Sequence, residues 1–152
     1  MENKLDPYAA LRYKEFNIFL SRLEKLSDEH RQEAALKRHE SGNRTARENL
    51  KHLIDEDSFI EFGAFAVAAQ RSRKEYDALQ IETSADGVIT GFCEINSNQI
   101  GKENSHAVAI IYDYSVLAGT QGYFHHHKLD RIIDKAKKYS LPVVIYTEGG
   151  GG

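Results

Sequence analysis

Apolar residues first recur at helical spacing near the start of the chain, where Phe16, Phe19, Leu20, Leu23 and Leu26 form one stripe. The spacing predicts a helix from Asp6-Pro7 onward, because aspartate accepts hydrogen bonds from the free amides of a first turn and proline suits the first helical position. Ser27-Asp28 breaks the stripe, and Glu29 to Arg38 reads as a second helix. Charge covers most of its surface, which points to a solvated helix packing one narrow face rather than to a partner-binding arm. After the break at Ser41-Gly42-Asn43, Thr45 and Glu48 have capping-box spacing ahead of Leu50, Leu53 and Ile54, so a short helix is expected from Thr45. Ser58 to Phe62 suits a brief strand. Ala64 to Gln80, with its Arg71-Ser72-Arg73-Lys74 run, suits an exposed loop or ragged helix.

From Asp86 the pattern turns to strands. Val88 to Ile95 is rich in β-branched and aromatic residues, Asn96-Ser97-Asn98 marks a turn, and Gly101 to Ser105 is a polar connection. Ala107 to Tyr112 is a continuous apolar run, suited to a strand buried on both faces. Helical spacing returns with His125, Leu129, Ile132, Ile133 and Ala136, and Lys135, Lys137 and Lys138 sit favourably at the negative C-terminal end of that helix. Pro142 stops it, and Val143-Val144-Ile145-Tyr146 predicts the next buried strand. Strand, helix and strand in this order make a βαβ-like unit with a right-handed crossover. No internal repeat is present. The fold class is α/β, with residues 1–40 as a helical arm and 41–152 as the strand-bearing part.

Composition changes this picture mainly by exclusion. A chain of 152 residues can bury a core of its own, and 41% hydrophobic with 28% charged residues is a globular composition. The 20 Lys plus Arg are interleaved with 23 Asp plus Glu, so no basic stripe invites nucleic acid. Cys93 is the single cysteine, which rules out an internal disulfide and a cysteine-based zinc site and fits a reducing compartment. Met1 to Lys14 lacks the apolar run of a secretory leader, and no stretch approaches the ~20 apolar residues that span a bilayer. A cytoplasmic location without nucleic-acid or membrane partners is expected.

Two glycine clusters carry the candidate chemistry. Glu148-Gly149-Gly150-Gly151-Gly152 directly follows a predicted strand, where α/β proteins place ligands. Amides unshielded by a Cβ can turn toward developing negative charge, as in an oxyanion hole or anion nest; a flexible tail is the alternative. A P-loop is not indicated, since no Lys-Ser/Thr follows the glycines within the chain. Gly119-Thr120-Gln121-Gly122 lies between the strand ending near Tyr114 and the helix containing Lys128, a position where helix N-terminal amides suit a phosphate or thioester oxygen. His125-His126-His127 does not suit a metal, because consecutive helical residues point about 100° apart. Asp113, Glu148 and His125 are of acid and base type, but their sequence separation says nothing about contact.

Several motifs match a known family. Arg38-His39-Glu40-Ser41-Gly42-Asn43-Arg44-Thr45-Ala46-Arg47-Glu48 resembles the opening motif of the carboxyltransferases of biotin-dependent acyl-CoA carboxylases of the acetyl- and propionyl-CoA type, and Asp55 to Gly63 continues it. Asp86-Gly87-Val88-Ile89-Thr90-Gly91 resembles the family's first core strand. Tyr112-Asp113-Tyr114-Ser115-Val116-Leu117-Ala118-Gly119-Thr120-Gln121-Gly122, followed by Lys128, is the most specific match, and Leu141 to Gly152 resembles the strand and glycines that open the oxyanion hole.

The resemblance implies a partial crotonase-like (ClpP/crotonase) fold of ββα units, preceded by N-terminal helices. It also implies the acyl-CoA-binding half of an enzyme that transfers a carboxyl group from carboxybiotin to the α-carbon of acetyl-CoA or propionyl-CoA. Gly149, Gly150 and Gly151 are then implied at the thioester enolate, and Ala118, Gly119, Thr120, Gln121, Gly122 and Lys128 on the CoA side. No cofactor is expected to be covalently bound, since carboxybiotin is carried on a partner domain. The implied partners are acyl-CoA, a biotin carboxylase, a biotin carboxyl carrier protein or domain and the C-terminal half of the carboxyltransferase, in a homo-oligomer at full length. The end at Gly152 is read as a truncation that leaves the chain inactive alone. Two other readings stand beside this one: the α-subunit of a biotin-dependent decarboxylase, and a non-catalytic α/β binding module.

Overall fold

The computed structural model describes residues 7–149, so the expected cap at Asp6 and the glycines Gly150, Gly151 and Gly152 lie outside the described residues. Two helices open it, α1 (Pro7–Glu24) and α2 (Gln32–Glu40), separated by a single 3₁₀ turn at Asp28–His30. A short α3 (Ala46–Leu53) leads into β1 (Ile60–Phe62), and α4 (Tyr76–Glu82) precedes the hairpin of β2 (Val88–Glu94) and β3 (His106–Tyr112). Between those strands lies α5 (Ser97–Ile100), one helical turn entered through left-handed Asn96 where a plain turn was expected. Helix α6 (Tyr123–Tyr139) then returns the chain to β4 (Val143–Tyr146).

The sheet runs β1-β2-β3-β4, antiparallel except for the parallel β3/β4 pair that α6 connects. Strand β3 is buried on both faces because alternate residues point to opposite sides. Ala107, Ala109 and Ile111 meet Ala46 and Leu50 of α3, whereas Val108 and Ile110 meet Ile132 and Ala136 of α6. Full burial of a side chain such as Ile132 contributes about 1.5–3 kcal/mol. The order β2, β3, α6 is one ββα unit.

Three local expectations change in the structure. The apolar stripe of α1 exists but stays at the surface, with Phe16 55% and Leu23 40% exposed. It is anchored by Phe19 edge-on to Phe65 and by Arg22 donating to the Phe65 carbonyl and the Tyr76 hydroxyl. Strand β4 is an edge strand among the described residues, and its Val143 and Ile145, on the same face of the sheet as Val108 and Ile110, stay exposed instead of being buried, because α6 covers that face over β2 and β3. Ile133 is exposed as well, one position round α6 from the buried Ile132.

The capping box at the start of α3 is present in both directions. The Thr45 hydroxyl accepts from the Glu48 amide at 3.0 Å, and the Thr45 amide donates to the Glu48 carboxylate at 2.8 Å. The same hydroxyl donates to Asp28 at 2.6 Å, tying the cap to the turn before α2. Thr45→Ala removes both bonds and is expected to cost about 1–2 kcal/mol in a denaturant melt. A loss below a few tenths of a kcal/mol would count against this role.

Candidate functional site

The two glycine clusters, 30 residues apart in sequence numbering, meet at the C-terminal ends of the parallel strands β3 and β4. This is the end of a parallel pair at which α/β folds bind ligands. Leu117, Ala118 and Gly119 all adopt left-handed backbone, with φ of 49°, 54° and 73°. That run turns the loop back so that Gly119 lies directly against the second cluster. A Cβ at Gly119 would stand 2.2 Å from the Glu148 carbonyl oxygen and 2.6 Å from the Gly149 Cα. Only a residue without a side chain permits this backbone-to-backbone approach. Gly119 is buried in the contact, while Ala118, Thr120, Gln121 and Gly149 are exposed.

The helix N-terminus after the loop is arranged differently from the expectation. Gly122 occupies the cap position of α6 and makes no side-chain cap, but the buried Asp86 carboxylate reaches in, accepting from the His125 amide at 2.8 Å and also from the Phe124 amide. A Cβ at Gly122 would sit 2.7 Å from that carboxylate, which explains the glycine. The protein therefore satisfies these first-turn donors itself, so they are not open to a phosphate. Burial pushes the Asp86 carboxyl above its usual range, against the pull of the two amides and of the Lys128 charge.

Lys128 is turned away from the glycine loops. Its ammonium is buried and donates to the carbonyls of Ala85, at 2.8 Å, and Val88, and its stem packs on Gly63. Burial lowers its pKa to about 8. His125 is fully buried, edge-on to Tyr112, with Nδ1 3.2 Å from the Asp86 carbonyl oxygen and no partner at Nε2. Burial pushes its pKa down to about 4, so it is neutral at ordinary pH. Asp113, Glu148 and His125 do not form an acid and base set. Each carboxylate has an arginine instead, with Arg31 2.7 Å from Asp113 and Arg38 2.6 Å from Glu148. Among the described residues no group of three or more His, Cys, Asp or Glu could hold a metal ion.

Both arginines come from the arm, whose α2 was expected to be merely solvated. The signal that could have revealed them was their spacing of seven residues, about two turns in the helix expected over Glu29 to Arg38, although Arg31 proves to be the non-helical N-cap of α2.

Residues 37–152 match the family model described as the carboxyl transferase domain. The chain belongs to this family. Among carboxyl transferase relatives, it is 30% identical over 115 residues to the methylmalonyl-CoA decarboxylase subunit alpha of Propionigenium modestum, covering 76% of this chain and 20% of that one. It is 32% identical over 114 residues to the propionyl-CoA carboxylase beta chain of Cereibacter sphaeroides, covering 74% and 20%. A solved single-chain, multi-domain long-chain acyl-CoA carboxylase superposes with a TM-score of 0.87 at 46% identity, over 91% of this chain and 14% of that one. That coverage is too wide to be confined to residues 37–152, so the likeness runs into the helical arm. The chain spans about a fifth of the length of these curated relatives. Its ββα unit is part of the crotonase-like fold of the carboxyl transferase domain.

Proposed function

We propose that this chain supplies the acyl-CoA-binding half of a biotin-dependent carboxyltransferase, in which a carboxyl group passes from carboxybiotin to the α-carbon of an acyl-CoA. The observation that carries this reading is the backbone contact between Gly119 and Glu148-Gly149 at the C-terminal ends of β3 and β4. Two amide-rich loops converge there, and fixed amides stabilise the enolate oxygen of a thioester better than water does, because they need not reorganise as charge develops. Gly149 is assigned to that oxygen together with Gly150 and Gly151, while Ala118, Gly119, Thr120, Gln121 and Gly122 line the CoA side. Lys128 serves the same side from beneath, by holding the Ala85 and Val88 carbonyls next to Asp86, which fixes the start of α6.

Carboxybiotin, carried by a partner domain, supplies the carboxyl group. The remaining wall of the site is assigned to the C-terminal half of the carboxyltransferase, in a cytoplasmic homo-oligomer that works with a biotin carboxylase and a biotin carboxyl carrier protein. The chain by itself holds one side of the site and is proposed not to turn over alone. Carboxylation is favoured over decarboxylation by the 46% identity to a carboxylase against 30% to a decarboxylase subunit. The acetyl- and propionyl-CoA carboxylase relatives support an acetyl or propionyl substrate, whereas the likeness that extends into the arm favours a long-chain acyl group.

Titration calorimetry of the 152-residue chain tests the assignment. Propionyl-CoA or palmitoyl-CoA is expected to bind and free biotin is not, and the tighter of the two thioesters identifies the acyl class. Absence of binding by any acyl-CoA would favour the non-catalytic module.

A further inference from the structure

The arm is joined to both glycine loops by two buried arginines. Arg31 donates to Asp113 at 2.7 Å and to the Ser115 hydroxyl at 2.8 Å, and its Nε donates to the Ile81 carbonyl at 3.1 Å. Asp113 in turn accepts from the amide and the hydroxyl of Ser115, closing a network at the root of the first loop. One terminal nitrogen of Arg38 reaches both Glu148 oxygens, at 2.6 and 2.7 Å, immediately before Gly149. The Arg38 guanidinium also lies 5.3 Å from the centre of the Tyr114 ring, and its Nε donates to the Arg44 carbonyl. Arg38 therefore touches both loops at once.

Burying guanidinium groups is a poor way to gain stability, since desolvation cancels much of the attraction, but it fixes geometry because the planar donor set accepts few arrangements. Left-handed backbone at Leu117 and Ala118 persists only when its surroundings over-determine it, and the Arg31 network supplies that constraint two residues upstream. We propose that Arg31 and Arg38 are positioning residues, with α2 serving as a jig that registers the Leu117–Gly119 loop against Glu148-Gly149 for the carboxyl-transfer step. The proposal rests on the carboxyltransferase reading above. Arg31 lies outside the family match, which begins at residue 37.

The test uses a carboxyltransferase of full family length that carries these residues, with Arg38→Met, Arg38→Lys and the neighbouring control Lys37→Met, whose side chain is exposed and pairs with Glu33. Steady-state kcat and KM for acyl-CoA, the thermal midpoint and hydrogen exchange of segments 113–122 and 143–149 are measured together. Arg38→Met is expected to lower kcat about 100-fold, the size of effect that a 1 Å misplacement of reacting groups produces, with KM changed only a few-fold and exchange faster in 143–149. Arg38→Lys keeps the charge but loses the guanidinium plane on Tyr114 and the Nε donation to the Arg44 carbonyl, and is expected to fold and to recover part of kcat. Lys37→Met is expected to match the parent. Unchanged exchange in both Arg38 variants overturns the proposal, as does faster exchange with kcat intact in an active parent; if Arg38→Met does not fold, Arg38→Lys decides on the same two readouts. Faster exchange in a parent that carboxylates no acyl-CoA would leave the jig standing and remove the carboxyltransferase reading instead.

Discussion

Gly119→Ala is expected to lower kcat for carboxyl transfer by at least about 100-fold, and to raise KM for acyl-CoA, in a carboxyltransferase of full family length. Two effects act at this residue and their sizes separate them. The left-handed backbone, φ 73°, disfavours alanine by about 1 kcal/mol, yet Leu117 and Ala118 already tolerate it one and two positions earlier. The collision is different in kind. The added Cβ would fall 2.2 Å from the Glu148 carbonyl oxygen and 2.6 Å from the Gly149 Cα, and both are backbone atoms that cannot rotate away. One loop must move, and between them the two carry the CoA contacts and the donors assigned to the enolate. Gly42→Ala is the matched control, because Gly42 has nearly the same φ, 72°, and nothing within 4 Å of the new methyl. It is expected to cost about 1 kcal/mol of stability and to leave kcat alone. A Gly119→Ala enzyme within about two-fold of the parent would remove the loop contact from the site.

Acid is expected to weaken the fold through His125 by about 3 kcal/mol between pH 6.5 and pH 4. The unfolded histidine titrates near 6.5, whereas the folded one is held at about 4, chiefly by burial, with the charges of Lys128 and His126 pushing the same way and the Asp86 carbonyl opposing them. Between those values the unfolded chain binds more protons than the folded one, so stability falls as pH drops through the window and is fully present above it. Asp86 pulls against this at the acid end, since a raised carboxyl pKa makes the folded state the better proton acceptor there. His125→Phe keeps the ring on Tyr112 and removes the titration. Denaturant melts at pH 7 and pH 4.5 should show the parent losing on the order of 2–3 kcal/mol more than the variant. Parallel losses in the two proteins would show that His125 does not carry the acid response. The exposed His126 and His127 serve as controls.

How much of this was legible in the sequence depends on the range of the interaction. The capping box of Thr45 and Glu48, the apolar run of β3 and the stripe of Leu129, Ile132 and Ala136 are governed by neighbours a few residues away, and each stands where its spacing placed it. The β4 residues were read correctly as a strand, but as a buried one. An apolar run cannot report what covers each face of its strand.

The sequence by itself determined the strands and the longer helices, though not α4 or α5, together with the family and the two glycine clusters, because backbone propensity, side-chain period and motif are all written along the chain. Tertiary structure alone decided what those clusters touch. Gly119 meets Glu148 and Gly149, Arg31 meets Asp113 across 82 residues, Arg38 meets Glu148 across 110, and Asp86 caps α6 from 39 residues upstream. A charged residue has the same local signature whether it is solvated or buried against a distant partner, so a segment expected to be solvated holds both arginines of the site, Arg31 at the N-cap of α2 and Arg38 within it. Which carboxylate each one meets depends on where the sheet delivers the loops after β3 and β4, and no local preference encodes that.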